Sequence, residues 1–374
     1  MSHRRGILFL NPRAGTFGAA DESSLRTTAY ELGLRVVDIQ PEIDVRAIVR
    51  EALDAGLKTF VVAGGDGSVH HVAQALVGTE GVLGVIPIGS VNHLARDLEV
   101  PIGDWRAALD IAVRGTIHQI DVGRVNGRYF INSVMLGIYP TISEYRERFR
   151  SLNNRWAAYF KAARLALRHF PHVTLVVELE GRVETFRTQL FVVAVNSYDL
   201  SQTGLVSPKT TFNDGRLSIY SLSFMSRTQF IRAAAKYFRG KIGDVPGFRS
   251  VRTAQLRVDT GRRRLRVSLD GELIELATPL QIAIVPSSLL VRAPAEGAST
   301  SPDSRSYSGH DSASLSGRPP RRAAPRLVQL ADGSFDAVAS RHPRRARRQL
   351  DRLHAGRSRG RGLDVRATRA RHRR

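Results

Sequence analysis

The stretch Thr59-Phe-Val-Val-Ala-Gly-Gly-Asp-Gly-Ser-Val-His-His-Val-Ala-Gln-Ala-Leu76 decides how the first third of the chain folds. Thr59–Ala63 is a compact apolar run, three glycines and an aspartate follow, and then Val69, Val72, Ala73 and Leu76 fall on one helical face. Strand, glycine loop and helix in that order describe a polyphosphate cradle. Glycines let the backbone approach phosphate oxygens, and a helix N-terminus offers free N–H groups and a positive dipole end. Gly64, Gly65, Asp66, Gly67, Ser68, Val69 and His70 are the expected contacts. Asp66 alone would repel phosphate, so its carboxylate makes sense facing Mg²⁺ on the phosphates or orienting a hydroxyl group. His70 and His71 are adjacent on the helix, so their rings diverge and no metal site is expected there. The stretch is no P-loop, and its spacing also fails G-x-G-x-x-G. His-Arg-Asp and Asp-Phe-Gly are absent, which excludes protein-kinase machinery.

Around this stretch the same grammar repeats. Gly6–Leu10, Leu34–Ile39 and Val82–Ile88 read as strands, and Val45–Ala55, His93–Leu98 and Trp105–Val113 as helices. Continuous apolar strands alternating with helices predict a doubly wound parallel α/β sheet covered on both faces. Gly84-Val-Ile-Pro-Ile-Gly-Ser-Val-Asn-His-Leu-Ala-Arg-Asp-Leu98 is a second strand–loop–helix, with Ser90 and Asn92 offering neutral hydrogen bonds to the same crevice. Asn11-Pro12-Arg13-Ala14-Gly15 ends the first strand and faces that crevice too.

From about Ile120 the pattern changes to strands rich in Val, Ile, Leu, Phe and Tyr with turn residues between them: Gly127–Asn132, His172–Glu180, Gln189–Val195, Gly215–Ser221, Ala254–Val258, Leu265–Asp270 and Leu280–Val285. They predict an antiparallel β-sandwich. Two helices interrupt it. The first carries Trp156, Phe160, Ala163, Leu167 and Phe170 beside Lys161, Arg164 and Arg168. The second starts at Ser226, stops near Gly240, and carries Phe230, Ala234 and Tyr237 beside Arg232, Lys236 and Arg239. The favoured expectation is that the aromatic faces pack on the sandwich and the cations stay solvated, rather than docking on a membrane. The expected division is 1–120 for the nucleotide-binding α/β domain, 121–294 for the sandwich, and 295–374 for a disordered, Arg-rich tail.

Of the 374 residues, 42% are hydrophobic, which rules out global disorder. There is no cysteine, which excludes disulfides, a thiolate nucleophile and Cys-ligated metals. The net charge is +22; residues 296–374, with 19 Arg, no Lys and 7 acids, supply +12 of it. The body is still basic and favours anionic partners such as nucleotides, phosphate or acidic lipid; nucleic acid is the weaker expectation. No run of about 18 apolar residues appears, and Ile7–Leu10 is too short for a signal-peptide core. A cytoplasmic chain, reaching the inner face of a membrane peripherally, is expected.

Asn-Pro-x-x-Gly, Gly-Gly-Asp-Gly-Ser and Pro-x-Gly-Ser-x-Asn together resemble the diacylglycerol kinase catalytic-domain family, especially its bacterial lipid kinases. Asp121-Val-Gly-Arg-Val-Asn-Gly-Arg-Tyr-Phe-Ile-Asn132, Asn213-Asp214-Gly215 and Leu269-Asp270-Gly271-Glu272 extend the resemblance over roughly residues 5–292, in the family's order. It implies an ATP- and Mg²⁺-dependent kinase acting on a diacylglycerol-like lipid hydroxyl from a crevice between the domains. Gly64–His70 then matches the ATP phosphate loop, Asn11–Gly15 the first nucleotide loop, and Ser90 a nucleotide-binding position that is commonly Thr. One of Asp270 and Glu272 is implied as proton acceptor. Asp214, with carbonyls of Thr211 and Arg216, is implied as a mainly structural magnesium site. The chain departs from the family at Ser90-Val91-Asn92-His93, where many members read Thr-Gly-Asn-Asp, so a second crevice acid is expected to be lost. His93 is expected to begin a helix without chemistry. An NAD kinase-like enzyme with a soluble acceptor and a non-enzymatic membrane or nucleic-acid binder are the alternatives.

Overall fold

The computed structural model describes residues 5–14, 18–149, 155–201, 209–223 and 225–295. The expected tail therefore lies outside the described residues, as does Gly15.

The first lobe is built from β1 (Gly6–Leu10), α1 (Ala19–Glu31), β2 (Leu34–Asp38), α2 (Val45–Asp54), β3 (Thr59–Gly64), α3 (Asp66–Leu76), β4 (Val82–Pro87), α4 (His93–Asp97) and α5 (Trp105–Arg114). Its strands are parallel in the order β2-β1-β3-β4. Phe9, Phe60, Leu8 and Ile86 are fully buried between helices on the two faces. Asp44 and Asp104 cap α2 and α5 by accepting main-chain N–H bonds in the first turn. The α1 helix was not legible: it buries only Leu25 and Ala29 and carries no clear apolar stripe.

The second lobe comprises β5 (Thr116–Val125), β6 (Arg128–Phe130), β7 (Ser133–Gly137), α6 (Ile138–Arg148), α7 (Arg155–His169), β8 (Val173–Leu179), β9 (Arg182–Val195), β10 (Leu217–Ser223), α8 (Arg227–Tyr237), β11 (Phe248–Thr253), β12 (Gln255–Asp259), β13 (Arg264–Leu269), β14 (Glu272–Ala277) and β15 (Leu280–Ala293). Its pairs are antiparallel around a core that includes Phe130, Phe191, Val193 and Val267. The α8 helix begins with a capping box, Ser226 and Gln229 satisfying each other's main-chain N–H groups.

The lobes share strands. The start of β15 pairs with β12 and with Val122–Val125 of β5. After a register break between Val285 and Leu289 it pairs with Thr116–Ile120 and, in parallel, with Val82 and Leu83 of β4. A cut at 120/121 thus falls inside β5. At the break Ser287 has φ 47°, and its N–H donates to the buried Asp121 carboxylate at 2.8 Å. The same carboxylate accepts from Gly215 N at 2.7 Å, so Asp121 pins the junction of the two cores.

Candidate active site

The chain turns from β3 into α3 at Gly64-Gly65, and the helix already starts at Asp66. The first-turn N–H groups of Asp66, Gly67 and Ser68 have no acceptor in the helix, which leaves an anion-binding terminus. None of the three loop glycines has positive φ. They are required for close approach. A Cβ on Gly89 would stand 2.4 Å from the Gly65 Cα, so the first and second loops touch backbone to backbone. A Cβ on Gly67 would stand 2.9 Å from Glu272 Oε1.

Asp66 ties the two loops together. Its carboxylate accepts from Asn92 N at 3.0 Å and from His93 N at 2.6 Å. The Asn92 amide is consumed on Gly89, accepting from its N–H at 3.0 Å and donating to its carbonyl at 2.9 Å. Asn92 has φ 55° and is buried, so its side chain shapes the loop instead of facing a ligand. Asn11 is similar: its amide donates to Ser68 Oγ at 2.9 Å and accepts from Arg13 N at 3.0 Å. The Val69 side chain lies in the hydrophobic core, so only main chain is available there. Pro12, Arg13 and Ser90 are exposed, and Ala14 packs against the core.

Asp270 and Gly271 form the two-residue hairpin turn between β13 and β14, and Glu272 opens β14. Asp270 and Gly271 both have positive φ, 48° and 92°, as the Asp-Gly type I′ turn demands. The two acids then diverge. Asp270 is buried, with its oxygens occupied by Ile131 N (2.7 Å), Asn132 N (2.8 Å), Ser133 N (2.9 Å) and His70 Nδ1 (2.9 Å). Burial opposes its ionisation, but the His70 bond and charge and the main-chain N–H groups outweigh it and hold the carboxyl below its ordinary range. Glu272 is exposed, and among the described residues no hydrogen bond or salt bridge reaches its carboxylate. It stands over Gly67.

His70 therefore has a role that the diverging-rings reading did not supply. Burial would lower its pKa; the Asp270 bond and charge, with Glu272, raise it instead. One turn along α3, Gln74 accepts from Tyr129 N at 3.2 Å and donates to the Tyr129 carbonyl. His70 and Gln74 staple α3 to the sandwich.

A half-buried polar seam lies beside it, formed by residues that sequence reasoning missed. Asp97 is one turn beyond His93 on α4, and burial, partly offset by Lys209, raises its pKa. The crevice thus keeps a second acid at 97. Lys209 Nζ donates to the Ile131 carbonyl at 2.8 Å; burial lowers its pKa against the opposing charges of Asp97, Asp270 and Asp121. Tyr198 is pushed well above its ordinary value by burial and by Asp97 and Asp270. The i, i+4 relation of His93 and Asp97 was a usable signal for Asp97; nothing comparable marked Tyr198 or Lys209.

The expected cation site of Asp214 with the carbonyls of Thr211 and Arg216 lies on the loop before β10. There Asp214 is ion-paired with Arg252 and the Arg216 carbonyl accepts from Asn196 N at 3.0 Å. Among the described residues no cluster of three or more His, Asp or Glu is placed to hold a metal.

An α/β lobe with a glycine cradle, joined to a sandwich that aims a free carboxylate at that cradle, defines a two-lobed phosphotransferase. The sequence profile of the diacylglycerol kinase catalytic domain matches residues 5–125, and that of the YegS C-terminal NAD kinase beta sandwich-like domain matches residues 132–293. The chain belongs to the bacterial diacylglycerol kinase-type lipid kinase family. A diacylglycerol kinase of Bacillus subtilis (strain 168) is 27% identical over 227 residues, covering 59% of this chain and 74% of its own. One of Mycobacterium tuberculosis (strain ATCC 25618 / H37Rv) is 28% identical over 259 residues, covering 68% and 82%. A crystal structure of a diacylglycerol kinase from Bacillus anthracis str. Sterne shares the fold with TM-score 0.56 and 19% identity, covering 78% of this chain and 97% of that one.

Proposed function

We propose that this lipid kinase transfers the γ-phosphate of ATP to the hydroxyl of a diacylglycerol-like acceptor, with Glu272 as the proton acceptor. One observation carries the assignment of the base: over Gly67, Glu272 is a carboxylate without a partner among the described residues, while Asp270 is saturated by four donors. An alcohol is a weak nucleophile until its proton has somewhere to go, and an exposed carboxylate beside the cradle provides that place. The free N–H groups of Asp66, Gly67 and Ser68 meet negative charge on the transferring phosphoryl group. Asp66 acts by holding the second loop against the first. A divalent cation bound with the triphosphate supplies further positive charge.

Tyr198, Lys209 and Asp97 lie near enough to Asp270 and to one another for their charges to interact, which sets polar groups beside the proposed base. Among the described residues no helix is long and apolar enough to cross a membrane. The test is incubation of the purified protein with radiolabelled ATP and either a total bacterial lipid extract or NAD. Label is expected in a lipid phosphate monoester. Labelling of NAD with no lipid product would replace the proposed acceptor with a soluble nucleotide.

A further inference from the structure

Lys209 reaches both lobes. Its main-chain N–H donates to Asp97 Oδ1, at the end of α4, at 3.4 Å. Its ammonium donates to the Ile131 carbonyl at 2.8 Å. The main chain here is fixed: Lys209 forms a β-bridge with Tyr198, and Thr210 N donates to the Ser197 carbonyl at 2.9 Å. Three residues on, Phe212 packs against the core that holds Phe9 and Phe60, and its carbonyl accepts from Asp121 N at 2.8 Å. The stem of Lys209 therefore leaves an anchored segment and spans from the α4 helix of one lobe to the main chain of the other.

Ile131 is where the ammonium bears on the site. Ile131 N donates to Asp270 Oδ2 at 2.7 Å, and Asn132 N and Ser133 N donate to Oδ1 at 2.8 and 2.9 Å. Lys209 thus holds the carbonyl of the first of three residues whose N–H groups grip Asp270. A closed circuit of contacts results. It runs from the Asp66 carboxylate to His93 N, along α4 to Asp97, through Lys209 to Ile131 and Asp270, and through the turn to Glu272, which stands over Gly67 beside Asp66. His70 holds the same Asp270 carboxylate from α3. The two braces fix different things: His70 ties Asp270 to the helix of the glycine loop, and Lys209 ties it to the helix of the second loop.

The charge of Lys209 is compensated locally. Asp97, Asp270 and Asp121 all act on it and oppose the loss of the proton that burial favours. An ammonium among three carboxylates adds little net positive field at a more distant phosphate, so its placement suits a brace better than a phosphate clamp.

We propose that Lys209 is a positioning residue of the phosphotransfer site, bracing α4 against the 131–133 main chain so that Asp270 and its turn hold Glu272 over the cradle. The inference rests on Glu272 as the proton acceptor. A reacting group displaced by about 1 Å can lose on the order of 10²-fold in rate, a loss that ATP bound at the N-terminus of α3 would not share.

The test is a double-mutant cycle in the full-length chain. Lys209→Met keeps a stem and removes the ammonium; Lys209→Arg keeps a cation. With a short-chain diacylglycerol as acceptor, below the melting range of each variant, Lys209→Met is expected to lower kcat by about 10- to 10²-fold, with KM for ATP within about twofold of wild type. Lys209→Arg is expected to recover part of the loss. In a Glu272→Gln background, Lys209→Met is expected to lower kcat no further, because the group that it places is already gone. Hydrogen–deuterium exchange of peptides spanning residues 131–133 is expected to quicken with Lys209→Met in both backgrounds. If Lys209→Met does not fold, Asp97→Ala tests the brace from its other end with the same readouts. An unchanged kcat, an equal loss in both backgrounds, or unchanged exchange at 131–133 would each overturn the proposal. Full turnover in Glu272→Gln would instead refute the proton acceptor, and the exchange rates would then decide the brace.

Discussion

Asp270→Asn and Glu272→Gln are expected to fail in opposite ways. The Asp270 oxygens accept three main-chain N–H groups and His70 Nδ1. Wherever the amide nitrogen of an asparagine is placed, it faces at least one N–H, and a buried donor left without an acceptor costs about 1–3 kcal/mol. The His70 pair is broken as well; its side chains are 12% and 2% exposed, so solvent screening is small. Removing one partner of such a pair costs about 3–5 kcal/mol in total. At about 2–4 °C per kcal/mol, melting temperature should fall on the order of 10 °C. Glu272→Gln removes nothing that the fold uses, so stability should stay within about 0.5 kcal/mol. Turnover should fall by about 10²–10⁴, as for loss of a general base. The assay pairs thermal unfolding with ATP-dependent phosphorylation of a short-chain diacylglycerol below the melting range of both variants. Full turnover in Glu272→Gln, together with an inactive but folded Asp270→Asn, would reverse the two roles.

Gly89→Ala sets a methyl group against the Gly65 Cα and Asn92 Oδ1, which overpacking at about 1–3 kcal/mol would register as weakened ATP binding; titration with a fluorescent ATP analogue checks it. Asp66→Asn puts an amide before the Asn92 and His93 N–H groups and should lower phosphoryl transfer by about 10² with the chain still folded, measured by turnover and circular dichroism. The raised pKa of His70 makes its bond to Asp270 fully effective below the ordinary value of 6.5 and lost as pH rises through the raised one. Urea unfolding of wild type and His70→Gln should therefore differ most at low pH and converge at high pH; a difference independent of pH would count against an ionic staple. A chain ending at Ala295, just past β15, should melt as the full chain does, because the residues removed have little apolar content.

The parallel lobe was legible because its strands are continuous apolar runs and its loops carry glycine, both of which survive in one dimension. Five of the strands and helices around the site, β1, α2, β3, β4 and α5, match their sequence bounds within a residue or two. The extent of β15 was not legible. Val285-Pro-Ser-Ser-Leu289 looks like the end of a strand, whereas the chain only breaks register there and runs on into the other lobe. The split between the two acids was half legible. Asp-Gly between alternating apolar residues is a hairpin signal, and the turn places Asp270 at positive φ before any chemistry is considered. Its burial depends on Ile131, Asn132 and Ser133, more than 130 residues away, which no local pattern reports.

The departure at His93 has the same explanation. Judged by side chains, replacing an acid with histidine removes a crevice group. In the folded chain the contact that joins the loops runs from the Asp66 carboxylate to the main-chain N–H groups of residues 92 and 93, and any residue but proline at 93 supplies that N–H. The side chain at 93 is therefore free to vary without unmaking the cradle. One helical turn on, Asp97 carries a carboxyl whose charge Lys209 from the second lobe partly compensates. Conversely, Asp66 cannot vary in the same way, because the geometry of both loops converges on its two oxygens. Main-chain donors are indifferent to sequence and side-chain acceptors are not, so the acids at 66 and 270, each gripping main-chain N–H groups, are the positions on which the site's shape depends.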